Sequence, residues 1–167
     1  LHVRSRRQRQ MCIRDRNFGG QTDQLIVRRI RELGVYAELH PCDVDLDSLD
    51  LEDLAGIVLT GGPQSVYEDD SLKADDRIFD LGVPILGICY GLQYINYHFG
   101  GEIETPKNGE YGKTPLFVDN KSAIFKDLPQ ESTIWMNHRD RISKLADGFR
   151  KTAVSYTHLR AHETPEH

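Results

Sequence analysis

The sequence predicts an α/β protein, a mostly parallel sheet with helices on both faces. Three observations carry this. Short apolar runs at residues 35–39, 55–60 and 83–88 alternate with amphipathic stretches at residues 21–33, 72–81 and 90–99, the rhythm of strands joined by crossover helices. Glycine punctuates the boundaries, with Gly34 after the first stretch and Gly61-Gly62-Pro63 after residues 55–60. Cys89 stands where the last apolar run meets the last amphipathic stretch, with a glycine two residues away on each side.

Element by element, residues 21–33 place Leu25, Ile26, Ile30 and Leu33 near helical spacing, and Gly34 ends that helix. Residues 35–39 alternate and read as a strand. The acidic stretch 43–54 reads as a loop with at most a helical turn. AGIVLT (residues 55–60) is a buried strand, residues 72–81 a helix, residues 83–88 a second buried strand and residues 90–99 a second helix. Beyond Gly100 the rhythm changes to short strands at residues 102–104, 114–118, 133–136 and 141–143 with turns between. No repeat or low-complexity linker interrupts the chain, which reads as one domain.

Composition bounds the function. The 167 residues are 38% hydrophobic and 28% charged, ordinary for a soluble globular domain. No apolar stretch is long enough to span a membrane, and no secretory segment is visible. A net charge of −5 argues against nucleic acid as a main partner. Cys12, Cys42 and Cys89 show no metal-ligand spacing, so a structural zinc site is not expected and free thiols in an intracellular protein are.

The termini stand apart. Residues 1–16 carry six arginines against one acid. RRQRQMCIRDR (residues 6–16) and VSYTHLRAHET (residues 154–164) resemble translated sequencing adapters. Residues 1–16 and 154–167 therefore read as non-native tails around a domain at residues 17–153. That middle holds 14 basic and 23 acidic residues, a balance of −9. The tail's His158, His162 and His167 are assigned no catalytic role, because such a segment has no selected geometry.

Cys89 is the candidate nucleophile. A reactive side chain at the tip of a sharp strand-to-helix turn is the arrangement of a nucleophile elbow. The turn crowds the backbone, so glycine suits its flanks. The following helix presents positive partial charge to the sulfur. The plainer alternative is a buried structural cysteine beside strand-ending glycines, and spacing alone leaves both open. In α/β sheets, ligands bind beyond the carboxyl ends of the strands. Residues 60–63 and Cys89 both lie at such ends and should meet in space. Backbone N–H groups of the Gly61-Gly62 loop and of Tyr90 could then form an oxyanion hole. A tight turn is the alternative for the glycines. No phosphate-loop pattern follows them.

Several motifs in order, GGPQSVYEDDS (residues 61–71), GICYGLQ (87–93), FGGEI (99–103), GEYGK (109–113) and WMNHRD (135–140), resemble the class I glutamine amidotransferases, and within them the GMP synthase branch. FGGQTDQLIVRRIRELGVYAEL (residues 18–39) is similar to the same branch, so the resemblance covers nearly all of residues 17–153. It implies the three-layer, flavodoxin-like fold of that family. It also implies that Cys89 attacks the side-chain amide of L-glutamine, that Gly62 and Tyr90 hold the oxyanion, and that Gln93, Asn137 and His138 bind the substrate. No cofactor is implied for this domain. ATP and Mg2+ are implied for a partner, the ATP-pyrophosphatase domain or subunit that aminates XMP to GMP, in the cytoplasm. A glutaminase of another pathway, such as anthranilate synthase, resembles the chain less, since its loop reads PGP and its elbow C-L-G. A non-catalytic glutamine- or partner-binding domain is the remaining alternative.

The chain departs from the family in two places. The His-Pro-Glu motif that supplies the family's base and its orienter is absent from the sequence. His98 is a poor substitute, about 13 Å along the helix axis from Cys89 and half a turn out of phase. His40 reads as a surface residue at a strand end. Arg28, Arg29 and Arg31 read as an exposed helix face, and residues 68–70 as a solvated acidic loop. At the front, residues 12–16 replace the apolar strand expected before Phe18, which leaves the sheet patched or open there, since arginine is costly to bury.

Overall fold

The computed structural model describes residues 10–14, 21–61, 66–67, 74–107 and 109–155. The chain divides into two compact units, Leu1–Phe99 and Gly100–His167.

The first unit is built on four parallel strands, β1 (Gln10–Arg14), β2 (Tyr36–His40), β3 (Leu54–Leu59) and β4 (Ile85–Gly87), in the spatial order β2-β1-β3-β4. Helix α1 (Gln21–Glu32) connects β1 to β2, and helix α2 (Tyr90–His98) follows β4. Successive residues of a strand point to opposite faces. Val58 packs with Val27 of α1 and Ala37 of β2, all at most 6% exposed. Leu59, one residue on, packs beneath Gly91 of α2. The two helices therefore cover opposite faces, giving three layers. Each buried aliphatic side chain contributes roughly 1.5–3 kcal/mol, so the α1 face (Val27, Ala37 and Val58, flanked by Ile26, Ile30 and Leu39) is a main source of this unit's cohesion.

Helix α1 forms where the apolar spacing predicts it. Gly34, at φ +78°, ends it in the left-handed conformation that glycine adopts without a Cβ penalty. Arg28 and Arg29 pair with Glu32 on the exposed face. Arg31 is exposed as well, and its guanidinium also donates to the Ala37 carbonyl at 3.0 and 2.6 Å, tying the helix end to β2. The sheet is patched rather than left open at the front. Residues 10–14 pair along their whole length with β2 and β3.

The helix expected over residues 72–81 is found, among the described residues, only as a 3₁₀ turn at Asp76–Asp80. The Asp75 carboxylate accepts the Arg77 N–H at 3.0 Å, which starts the turn at residue 76, and Gly82 at φ +68° closes it. Arg77 also reaches Asp47 at 3.0 Å, so it ties the acidic loop, with its own 3₁₀ turn at Leu46–Ser48, to this segment. Ile78, with no exposed surface, anchors it.

The second unit is antiparallel. β5 (Glu102–Glu104) pairs with β8 (Arg141–Lys144). β6 (Glu110–Val118) lies between β7 (Glu131–His138) and β9 (Ala153–Ser155). β6 and β7 are longer than the runs 114–118 and 133–136, because the ladder continues from Phe117↔Glu131 to Glu110↔His138. Cross-strand pairs, rather than apolar composition, set their length.

Candidate active site

β4 ends at Gly87 and α2 starts at Tyr90, so the chain reverses within two residues. Cys89 lies in that reversal at φ 55°, ψ −118°, a region sparsely populated by residues other than glycine and costing about 1–3 kcal/mol. The neighbouring strand holds it there. Ile88 N–H donates to the Leu59 carbonyl at 2.8 Å, and Gly91 N–H to the Thr60 carbonyl at 3.1 Å. The flanking glycines have a steric reason. A methyl group on Gly91 would come 2.1 Å from the Leu59 oxygen, and one on Gly87 would come 2.6 Å from the Leu92 backbone. The thiol of Cys89 is exposed and unbridged and makes no capping bond to α2. The alternative of a buried structural cysteine is thereby set aside.

The end of β3 meets Cys89, as the topology predicts. A methyl group on Gly61 would lie 3.5 Å from Cys89 Cβ and 3.8 Å from Sγ. Gly62, the expected oxyanion donor, lies outside the described residues. Tyr90, the other expected donor, is the first residue of α2; its ring is buried and lies 6.4 Å from Tyr94, nearly parallel. Gln93 is buried one helical turn after Cys89, and its N–H donates to the Cys89 carbonyl at 3.2 Å.

Asn137 and His138 end β7 in the second unit. His138 is held on both ring nitrogens: Nδ1 lies 3.0 Å from the Asp140 carbonyl and Nε2 lies 3.2 Å from Glu110 Oε2. His98 stacks on Phe79 with ring centroids 4.2 Å apart and reaches Asp76 at 3.4 Å. It is a packed helix histidine, and Asp76 also accepts the Tyr94 hydroxyl at 2.8 Å. His40 contacts Glu38 at 3.0 Å. Among the described residues no group of three metal-ligating side chains comes together, and no helix is long and apolar enough to cross a membrane.

Sequence reasoning missed three residues here. Asp23, in the first turn of α1, is 7% exposed. Burial pushes its carboxyl above the ordinary range, and the facing Thr60 hydroxyl opposes that rise. Thr60 itself is 4% exposed. Glu110 is the cross-strand partner of His138. No local signal marks Asp23, because a first-turn aspartate usually caps its helix in solvent. Glu110 lies in the GEYGK segment, but its partner is 28 residues away and emerges only with the register.

A cysteine on a strained strand-to-helix turn, at the carboxyl edge of a three-layer parallel sheet, has the strand–turn–helix setting of a nucleophile elbow in an α/β protein. The family model for class I glutamine amidotransferases matches residues 16–165, and the chain belongs to that family. The glutamine-hydrolysing GMP synthase of Listeria innocua is 49% identical over 139 residues, covering 83% of this chain and 27% of the relative. That of Bacillus mycoides is 47% identical with the same coverage. The chain thus spans about a quarter of the length of these relatives. Among solved structures, a Thermoplasma acidophilum protein described as a candidate component of GMP synthase matches with a TM-score of 0.72 at 34% identity, covering 92% of this chain and 76% of that one. A glutamine amidotransferase from Thermotoga maritima, 20% identical, shares the fold with a TM-score of 0.60 over 84% of this chain and 64% of its own.

Proposed function

We propose that this chain is glutaminase sequence of a GMP synthase, whose complete form hydrolyses glutamine and passes the ammonia to ATP-dependent amination of XMP. The observation that carries the reading is the exposed Cys89 thiol, held at positive φ between two glycines, in a chain nearly half identical to named GMP synthases.

Cys89 sulfur attacks the side-chain amide carbon of glutamine, and the carbonyl electron pair moves onto oxygen. The N–H groups of Gly62 and Tyr90 receive that oxyanion; such a donor is typically worth about 10²–10³ in rate. Collapse restores the carbonyl and expels the nitrogen, which takes a proton and leaves as ammonia. Water then attacks the glutamyl thioester, the C–S bond breaks, and glutamate and the free thiol are released. Gln93, on the helix that Cys89 precedes, helps hold the substrate. The chemistry of this domain needs no cofactor. ATP and Mg2+ belong to the synthetase domain or subunit, which is the macromolecular partner. The setting is the cytoplasm, and neither nucleic acid nor a membrane takes part.

The His-Pro-Glu motif is absent from this sequence, so the chain as it stands turns glutamine over negligibly while its thiol remains open to alkylation. The test is peptide mapping after treatment with a glutamine-shaped chloroketone. The expected adduct is on Cys89, is blocked by excess glutamine, and is absent from Cys89→Ala and Cys89→Ser. An adduct that survives in those variants, or that glutamine does not block, refutes the reading.

A further inference from the structure

The hairpin of β6 and β7 buries one face and leaves the other open. On the buried face Thr114 and Val118 are 2% and 4% exposed. The register sets the outward residues opposite one another, Tyr111 with Asn137, Lys113 with Trp135 and Pro115 with Thr133, and all six are exposed. A solvated sheet face ordinarily turns polar side chains outward. Here Trp135 at 70% and Tyr111 at 68% are the two most exposed aromatic residues among those described. They take diagonal positions across the two strands, so they form one patch rather than two isolated rings.

Geometry and charge both mark this patch for a partner. The Tyr111 ring lies back over Gly109, where a methyl group would come 2.7 Å from its Cε2 and 2.8 Å from its hydroxyl oxygen. The ring is therefore seated against backbone although it faces solvent, and a side chain already seated loses little freedom on docking. Lys113 beside Trp135, and Arg139 just beyond the end of β7, are exposed and have no ion pair among the described residues, in a chain whose net charge is −5. Tryptophan, tyrosine and arginine are the residues that carry most interface energy, and a cation at the rim of such a patch steers an acidic partner to it. A contact of the patch with its own copy about Trp135 would set Lys113 against Lys113, so a different, acidic surface is the better match.

We propose that the Tyr111–Trp135 face is where this chain docks onto the remainder of a GMP synthase, against a surface there that carries carboxylates around an apolar depression. The proposal rests on the glutaminase reading above and adds the surface through which that reading's partner is met. The chain spans 27% of the Listeria innocua relative, so most of such a protein lies outside it and meets it through some surface. Trp135 and Tyr111 supply the anchor that is buried on docking. Lys113 and Arg139 supply the charged rim.

Trp135 is the chain's only tryptophan, so fluorotryptophan places a single fluorine label in the patch. The full chain is titrated with the synthetase portion of the Listeria innocua enzyme, whose folding is verified by ammonia-driven formation of GMP. The expected result is a saturable shift of the fluorine resonance and a one-to-one complex in sedimentation, weakened by added salt. Trp135→Ala and Tyr111→Ala are each expected to raise the sedimentation Kd about thirtyfold. Lys113→Glu is expected to raise it several-fold, chiefly through slower association, and Thr133→Ala to leave it at the parent value. The proposal is overturned by a fluorine resonance that the active synthetase portion does not move, or by folded Trp135→Ala and Tyr111→Ala chains that bind like the parent. It is also overturned by a resonance that shifts with the concentration of the chain alone, which assigns the face to a second copy. If one aromatic variant does not fold, judged by circular dichroism, the other decides with Lys113→Glu. A chain that shows the glutamine-blocked labelling of Cys89 and does not bind removes this inference alone. A chain without that labelling overturns the glutaminase reading, and this inference with it.

Discussion

Gly91→Ala isolates the steric logic of the elbow. In an ordinary helix the change from glycine to alanine gains about 0.5–1 kcal/mol. Here the added methyl would lie 2.1 Å from the Leu59 oxygen and 2.5 Å from the Leu59 carbonyl carbon. The closest ordinary carbon-to-oxygen approach is about 3.3 Å, so about 1.2 Å must open between α2 and β3. Overpacking against side chains that can yield costs about 1–3 kcal/mol, but this obstacle is strand backbone, paired on both sides. The clash outweighs the propensity gain, and a net loss near 2 kcal/mol is expected, which lowers Tm by roughly 4–8 °C in a chain of this size. The same displacement moves Cys89, so chloroketone labelling falls by on the order of 10². Gly61→Ala is the contrasting variant. Its methyl meets Cys89 at ordinary contact distances of 3.5 and 3.8 Å, so Tm stays at the parent value while labelling slows from crowding at the sulfur. Thermal unfolding followed by circular dichroism, with labelling rates on the same samples, measures both. A Gly91→Ala chain that melts and labels like the parent would refute the reasoning.

Two carboxyl groups carry opposite pH signatures. Burial raises the Asp23 pKa above its unfolded value of 3.8, so the ionised group costs stability at neutral pH, and that cost vanishes as pH falls through the folded value toward 3.8. Asp23→Asn is therefore expected to raise Tm at pH 7, with the gain shrinking as the solution is acidified; a gain independent of pH would exclude this origin. Glu38 is the reverse case: the Tyr36 hydroxyl at 2.7 Å and His40 at 3.0 Å hold its carboxyl below 4.5. Its contribution is present above pH 4.5 and is lost as pH falls through the lower folded value, so Glu38→Gln is expected to flatten that part of the acid-unfolding curve. Tyr94→Phe removes the hydroxyl that donates to Asp76 at 2.8 Å and lies 3.2 Å from the Ala74 carbonyl. Urea unfolding is expected to show a loss of roughly 1 kcal/mol at constant m, and an unchanged midpoint would show that water replaces the bond without cost.

The elements legible in the sequence are those whose signal is local. Helix α1 follows from the near-helical spacing of Leu25, Ile26, Ile30 and Leu33 with Gly34 behind them, although Leu25 and Leu33 stay exposed and Val27 takes the buried place, and β3 follows from its unbroken apolar run. The elbow is legible because Gly87 and Gly91 are demanded by backbone contacts immediately around the turn. What escaped is set by partners distant in sequence. β1 has no apolar pattern that marks it as a strand; it exists through its ladders to β2 and β3. The outer ends of β6 and β7 depend on register, which pairs Glu110 with His138. Residues 72–81 carry helical spacing, but Asp75 offers its carboxylate to the backbone first and a single tight turn wins. Asp23 and Thr60 share the carboxyl edge of one sheet, and only the crossover from β1 to β2 places a charged residue where solvent cannot reach it.

The torsion at Cys89 has a practical consequence. A cysteine held at φ 55° relaxes as soon as its supports yield, and two of those supports are the hydrogen bonds from Ile88 and Gly91 to the carbonyls of Leu59 and Thr60. Lesions that loosen that tip will therefore silence the sulfur well before the molecule melts. Thiol reactivity becomes an early gauge of local integrity, and a chain that still looks folded by bulk optical methods can already have lost the posture its chemistry requires.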